Sequence, residues 1–155
     1  MVKTKQDILT LFNAIDALGH LKGVKFTYGM AKNINILKPE VESLQEAAKG
    51  SDEFLAYEKS RGELLEKYAK KDEDNKSVIV NNEYVLEDQK GFDTEFNKLR
   101  KENKKVLDDR QTQIDEVDKL LKEETTIKLY KIKVDDIPED ITTKQMNSIF
   151  DLIEE

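Results

Sequence analysis

Apolar side chains recur every three or four positions over most of this 155-residue sequence. That spacing places them along one side of an α-helix, whereas a half-buried strand would alternate at every second residue. The intervening positions are polar, and Asp, Glu, Lys and Arg together make up 38% of the chain, as is typical of long solvated helices. The pattern therefore predicts a mainly α protein with a small β component, in which each helix buries one face.

The limits of the predicted elements follow from capping residues and turn formers. Thr4 with Asp7 resembles a capping box at the first helix, and Ser51 is a good N-cap for the third. Asn81 and Asn82 tolerate positive φ, so the β-rich runs beside them predict a hairpin. The predicted helices cover about 4–19, 24–49, 51–70, 88–122 and 143–154, and the predicted strands cover about 77–80, 83–86 and 126–134.

These elements predict one domain, residues 1–155, which is long enough to bury a core of its own. Helices 51–70 and 88–122 should form a long antiparallel hairpin, accompanied by two N-terminal helices, the β-hairpin or short sheet, and a C-terminal helix. The segment 126–134 changes phase at Leu129 and Tyr130, which indicates a bulge in the strand.

Charge and composition disfavour several classes of function. The formal net charge is −7, so no overall field draws the chain to phosphate backbones, and general nucleic-acid binding is disfavoured. The start of the chain, Met1 to Asp7, is polar, and no apolar run approaches the roughly 20 residues of a membrane span. With no cysteine in the chain, a reducing cytoplasm is compatible, and we expect no membrane association.

Catalytic and metal-binding patterns are also missing. The chain has no cysteine and a single histidine, His20, beside a glycine at the end of the first predicted helix. Asp72, Asp74 and Glu83 have the spacing of a calcium loop, but Lys76 stands where an oxygen ligand is needed. We therefore expect no catalytic residues, no metal and no cofactor, and we interpret the chain as a binding protein rather than an enzyme.

A second side of the predicted helix 24–49 carries residues that packing does not explain. Tyr28, Lys32 and Asn35 project away from the apolar arc, and Asn33 lies beside them. An aromatic ring, a cation and an amide can together stack on a planar ligand and hold an anion, which makes these four residues candidate ligand contacts. An ordinary polar helix face and a self-association surface are the alternative interpretations.

Arginine placement is the second anomaly, because Arg61 and Arg110 both fall within apolar stripes. A buried guanidinium must be paired, since an unpaired one costs several kcal/mol. The partner could be a carboxylate of the same chain, or these arginines could line an oligomer seam or a pocket for a phosphate or carboxylate. Both arginines are therefore candidate ligand residues as well.

Several stretches of the sequence form a familiar set of motifs. They are Lys25-Phe26-Thr27-Tyr28-Gly29-Met30-Ala31-Lys32-Asn33, Leu37-Lys38-Pro39-Glu40, Arg61, Glu66-Lys67-Tyr68-Ala69, Lys71-Asp72-Glu73-Asp74 with its hairpin, and Asp136-Ile137-Pro138-Glu139-Asp140-Ile141-Thr142. Together they cover nearly the whole chain, and they resemble one small protein family of tailed bacteriophages (Caudoviricetes). Gly29 departs from the alanine that we expect at its position.

The resemblance implies a phage origin and places the protein in the host cytoplasm or in a particle. Our leading hypothesis is a non-enzymatic accessory protein in the host cytoplasm that forms a homo-oligomer and binds a small anionic ligand. An immune nucleotide signal, sequestered to evade host defence, is the ligand we expect. The alternative is a protein-interaction factor that binds a host protein or supports virion assembly or replication.

Overall fold

The structure is a computed structural model that describes residues 1–154, and it confirms a mainly α fold with a small β component. Short 3-10 turns lie at Val134–Asp136 and Phe150–Leu152. The helices and strands are β1 (Val2–Thr4), α1 (Lys5–Ala17), α2 (Val24–Ala48), α3 (Asp52–Tyr68), β2 (Ile79–Val80), β3 (Glu83–Tyr84), α4 (Gln89–Glu102), α5 (Lys104–Lys122), β4 (Glu124–Thr126), β5 (Ile132–Lys133), α6 (Thr143–Ser148) and β6 (Ile153–Glu154).

We predicted a single domain, and the internal contacts divide the chain into two compact units. The first unit contains Met1–Ala48 and the chain from Asp115 onward, and the second contains Lys49–Ile114. The division falls within α5, between Ile114 and Asp115.

The first unit is built on α1 and α2, which pack against each other. The predicted capping box begins α1, since the Thr4 side chain accepts a hydrogen bond from the Asp7 backbone and Asp7 caps Thr4 in return. Antiparallel pairing of β1 with β4 joins the start of the chain to the residues after α5. The buried core consists of Ile8, Leu11, Ile15, Leu18, Leu21, Phe26, Met30, Leu37, Val41, Ile127, Ile132, Ile149 and Leu152.

The second unit contains α3, the β2–β3 hairpin and α4. Ser51 accepts a hydrogen bond from the Phe54 backbone and so begins α3 as predicted. Asn81 and Asn82 have φ of 52° and 64°, and the predicted hairpin forms around them. Packing of α3 against α4 brings the Tyr68 ring edge-on to Phe92.

The predicted helix 88–122 is wrong as a single element, because it breaks at Asn103. The Asn103 amide Nδ2 donates to the Leu99 backbone oxygen at 2.9 Å, and α4 ends at Glu102. An asparagine side chain that bonds its own backbone competes with continuation of the helix. A new helix, α5, then begins at Lys104.

Two further segments near the end of the chain differ from prediction. The predicted strand 126–134 is reduced to the last residue of β4 and to β5, with no strand between them. The predicted helix 143–154 ends at Ser148, after which Ile153–Glu154 pairs in parallel with β5. The Ile149 side chain is completely buried and Leu152 is too, so this segment is held by packing that helical spacing alone does not specify.

Candidate functional site

A groove of about 490 Å³ lies in the first unit, beside the first turns of α2. We call it the α2 groove. One wall is the start of α2, and the other is the chain from Tyr130 through β5. The residues that line it are Val24, Lys25, Tyr28, Tyr130, Lys131, Ile132, Lys133, Asp136 and Glu154.

Two tyrosine rings and one ammonium group meet at this groove. The ring of Tyr28 stands edge-on to that of Tyr130, with the centroids 6.0 Å apart and the ring planes at 90°. The Nζ atom of Lys32 lies 5.0 Å from the Tyr28 centroid and 4.9 Å from the Tyr130 centroid. Both distances are within the range of cation–π attraction. Interaction with the Tyr28 side chain raises the pKa of Lys32, so its ammonium remains charged at neutral pH.

Asn33 holds Tyr130 in this position from the buried side of α2. Its Nδ2 atom donates to the Tyr130 backbone oxygen at 2.9 Å and to the Gly29 backbone oxygen at 3.1 Å. Its Oδ1 atom accepts from the Tyr130 backbone N–H at 2.8 Å. The amide thus supplies both of the hydrogen bonds that a neighbouring strand would offer, which is why the chain at Tyr130 needs no strand partner.

Close approach of the groove walls depends on Gly29. A Cβ atom built on Gly29 would lie 2.6 Å from Cγ1 of Ile132, well inside van der Waals contact. Ile132 is buried, so its side chain has little room to move away. The absence of a side chain at this position therefore lets the Tyr130 segment pack directly on α2.

The charges along the groove differ from those of the whole chain. Three lysines and two carboxylates line it, whereas the complete sequence carries a net charge of −7. The Lys131 ammonium donates to the Asp151 backbone oxygen at 2.7 Å, and Lys25 donates to Asp136 at 3.0 Å. With Lys32 at the tyrosine rings, the groove is locally cationic, which favours an anionic ligand.

The structure brings together only part of the predicted ligand set. Tyr28 lines the groove and is 54% exposed, whereas Lys32 lies outside the lining with its Nζ atom near the Tyr28 ring. Ligand contact by these two residues stays a prediction. Asn33 is fully buried, and its amide makes hydrogen bonds to backbone groups. This placement indicates a structural role for Asn33 and not the direct ligand contact that we predicted. Asn35 is exposed on α2, outside the groove lining.

The predicted arginines belong to the second unit, where each has partners. Arg61 is exposed, so its expected burial in an apolar stripe is wrong, and it pairs with Glu58 one turn earlier at 3.1 Å. Arg110 is half-buried, lies 5.0 Å from the Phe54 ring and donates to Gln113 at 2.7 Å. Arg61 thus has a carboxylate partner in its own chain, while Arg110 contacts an aromatic ring and an amide. Neither arginine lines the α2 groove, and a ligand role for them stays a prediction.

Tyr28 is the one residue of the groove lining that the sequence indicated, and Tyr130, Lys25 and Asp136 are among those it did not indicate. Tyr130 stands where the strand pattern changes phase, and that irregularity was the available signal, although it indicated only a bulge. Lys25 and Asp136 are 111 positions apart, and nothing local marks either residue.

A separate polar cluster in the second unit joins α3 to α4. One oxygen of Glu95 accepts from the Lys67 ammonium at 2.6 Å and from the Tyr68 hydroxyl at 2.6 Å. Lys67 first, and then Tyr68, hold the pKa of Glu95 below its ordinary value of 4.5. Each of these three side chains has its hydrogen-bond partner within the cluster. We therefore interpret the cluster as a stabilising contact between α3 and α4 and not as a binding site.

This cluster predicts a pH dependence of stability. Folding lowers the pKa of Glu95, so its carboxylate stabilises the fold fully when the pH is above the pKa of the unfolded state. That stabilisation is lost as the pH falls through the lower pKa of the folded state. We expect Glu95→Gln to have a lower urea midpoint than wild type at pH 7. At pH 3 the difference between the two urea midpoints should be smaller. Urea titrations at both pH values measure it. A difference that is the same at both values would contradict the assignment.

Within residues 1–154, no group of three or more His, Cys, Asp or Glu side chains is arranged to hold a metal ion. In the same part of the chain, no helix combines the length and apolar character needed to cross a bilayer. No protein-family model matches the chain, and the chain matches no curated protein and no solved structure closely enough to identify a relative.

Proposed function

We propose that this chain is a non-enzymatic accessory protein of a tailed bacteriophage that captures a small anionic ligand in the α2 groove. The observation that carries the proposal is the pair of tyrosine rings with the Lys32 ammonium between them, at the edge of a groove with three lysines in its lining. Core packing does not explain Tyr28, since the residue is more than half exposed.

A nucleotide-type ligand matches these groups. Its base is a flat π-system that can stack on a tyrosine ring, and such stacking is sequence-tolerant because every base offers a face. Its phosphate accepts hydrogen bonds from lysine ammonium groups. A groove of about 490 Å³ is within the size range of small-molecule sites. In the host cytoplasm, an oligomer of such chains would sequester an immune nucleotide signal and so counter host defence.

The test is calorimetric titration with ADP-ribose and with a cyclic dinucleotide. We expect wild type to bind at least one of them, and Tyr28→Ala to weaken that binding at least about fivefold, because stacking on one ring contributes about 1–3 kcal/mol. Asn35→Ala is the matched control, since Asn35 is exposed on the same helix outside the groove. We expect its affinity to equal that of wild type.

Three outcomes would contradict the proposal. Wild type could fail to bind either probe at millimolar concentration, or Tyr28→Ala could bind as tightly as Asn35→Ala. Conversion of a probe to product by catalytic amounts of protein would show that the chain is an enzyme. Light scattering on the same samples measures whether the chain forms the proposed oligomer.

The alternative is a protein-interaction factor that serves virion assembly, replication or binding to a host protein. A second groove of about 400 Å³ near the end of the chain favours it, and the residues that line it are all of apolar type: Val134, Ile137, Met146, Phe150 and Ile153. Phe150 is 65% exposed, and Val134 is 51% exposed. Exposed apolar patches of this kind often mark protein contacts. This alternative predicts a stable protein partner and no affinity for either nucleotide probe.

A further inference from the structure

We propose that Lys25 is the residue of the α2 groove that binds the anionic group of the ligand, and that Asp136 occupies Lys25 until a ligand displaces it. This inference rests on the proposed capture of an anion in the groove. It adds a recognition residue and an internal competitor that together restrict which anions bind.

The geometry of the pair is the first argument. Lys25 and Asp136 both line the groove, and the Lys25 Nζ atom lies 3.0 Å from Oδ1 of Asp136. The Lys25 side chain is 79% exposed, whereas the Asp136 side chain is 19% exposed. The lysine can therefore turn towards a ligand at little cost, while the carboxylate remains in the groove wall.

Two of the other cations at the groove are already engaged, and the remaining one is Lys133 of β5, which also lines the groove. If Lys25 is the anion contact, Lys133→Gln should bind the ligand as tightly as wild type. Lys131 donates to a backbone oxygen of its own unit, at Asp151. Lys32 is held at the two tyrosine rings, where it is placed to contact the planar part of a ligand. Lys25 is instead paired with a carboxylate, and a phosphate or carboxylate of the ligand can replace that partner by accepting from the same ammonium.

Exchange of the partner has a consequence for selectivity. When the anionic group of a ligand binds the Lys25 ammonium, the Asp136 carboxylate remains nearby without its counter-ion. It then repels any further negative charge on the ligand. Exposed ion pairs are weak, so the exchange itself is accessible to a ligand of moderate affinity. The groove should therefore prefer a ring-bearing ligand with one or two negative charges near Lys25 over a polyphosphate.

The test measures ADP-ribose affinity for Asp136→Asn, Lys25→Gln and the double variant. We expect Asp136→Asn to bind about three- to tenfold more tightly than wild type, because competition and repulsion are both removed. Lys25→Gln should weaken binding by about the same factor, and it should abolish the gain in the double variant. Circular dichroism verifies that each variant is folded.

Asp140→Asn is the matched control, because it changes the net charge equally at an exposed residue that does not line the groove. We expect its affinity to stay within about twofold of wild type. If wild type binds and Tyr28→Ala does not, but Asp136→Asn binds no more tightly than Asp140→Asn, the proposed function stands and this inference is wrong. Equal affinity of Lys25→Gln and wild type would also overturn it. Failure of wild type and every variant to bind would overturn both proposals.

Discussion

Replacement of Asn33 by alanine should destabilise the protein by about 2–4 kcal/mol, the largest effect that we expect from a single side-chain truncation. The Asn33 amide makes hydrogen bonds to both backbone groups of Tyr130, at 2.9 and 2.8 Å. Alanine leaves these partly buried groups without partners, and each unsatisfied group costs about 1–3 kcal/mol. Chemical denaturation in urea measures the loss, and hydrogen exchange at the Tyr130 amide localises it.

Asn35→Ala is the control for this prediction, since it makes the same chemical change at an exposed position of the same helix. We expect its stability to stay within about 0.5 kcal/mol of wild type. Asn33→Asp keeps the acceptor for the Tyr130 N–H but turns an oxygen towards two backbone oxygens, so it should be at least as harmful as alanine. Equal urea midpoints for Asn33→Ala and Asn35→Ala, with unchanged protection at Tyr130, would show that the amide does not hold this segment.

A methyl group added at Gly29 should also be harmful, although alanine is the better helix former. The new Cβ atom would lie 2.6 Å from Cγ1 of Ile132, which is buried and cannot easily turn away. Overpacking of this kind costs about 1–3 kcal/mol, against a gain of about 1 kcal/mol in helix propensity. We expect Gly29→Ala to lose up to about 2 kcal/mol in urea denaturation.

Gly62 offers a control of opposite sign. It lies inside α3, and a Cβ atom built on it would meet nothing within 4 Å. Gly62→Ala should therefore stabilise the protein by about 1 kcal/mol, because only the helix-propensity term remains. The prediction fails if Gly29→Ala is as stable as wild type, or if both substitutions raise the urea midpoint.

The two destabilising substitutions act on the same structural feature as the proposed function. Asn33 and Gly29 determine where the Tyr130 segment lies on α2, and Tyr130 forms one side of the ring pair that meets Lys32. Neither residue lines the groove. Weak ligand binding by a folded Gly29→Ala variant would thus report on the position of Tyr130, whereas Tyr28→Ala removes a contact with the ligand directly.

Most helix limits could be predicted from the sequence because they depend on interactions between residues only a few positions apart. The Thr4 capping box, the Ser51 N-cap and the Asn81-Asn82 turn all formed as predicted. The break at Asn103 has an equally local cause, a hydrogen bond to Leu99, but a long apolar stripe concealed it. The apolar stripes of α1 and α2 likewise identified the face that each helix buries.

The groove itself was decided by contacts between residues far apart in the chain. Asn33 meets Tyr130 across 97 positions, and Lys25 meets Asp136 across 111. On its own helix, Asn33 looks like any polar residue beside an apolar arc, and only packing against the Tyr130 segment makes it a buried structural amide. Periodicity reports which face of an element is apolar, but not which distant segment covers that face, because that choice depends on the packing of all elements at once.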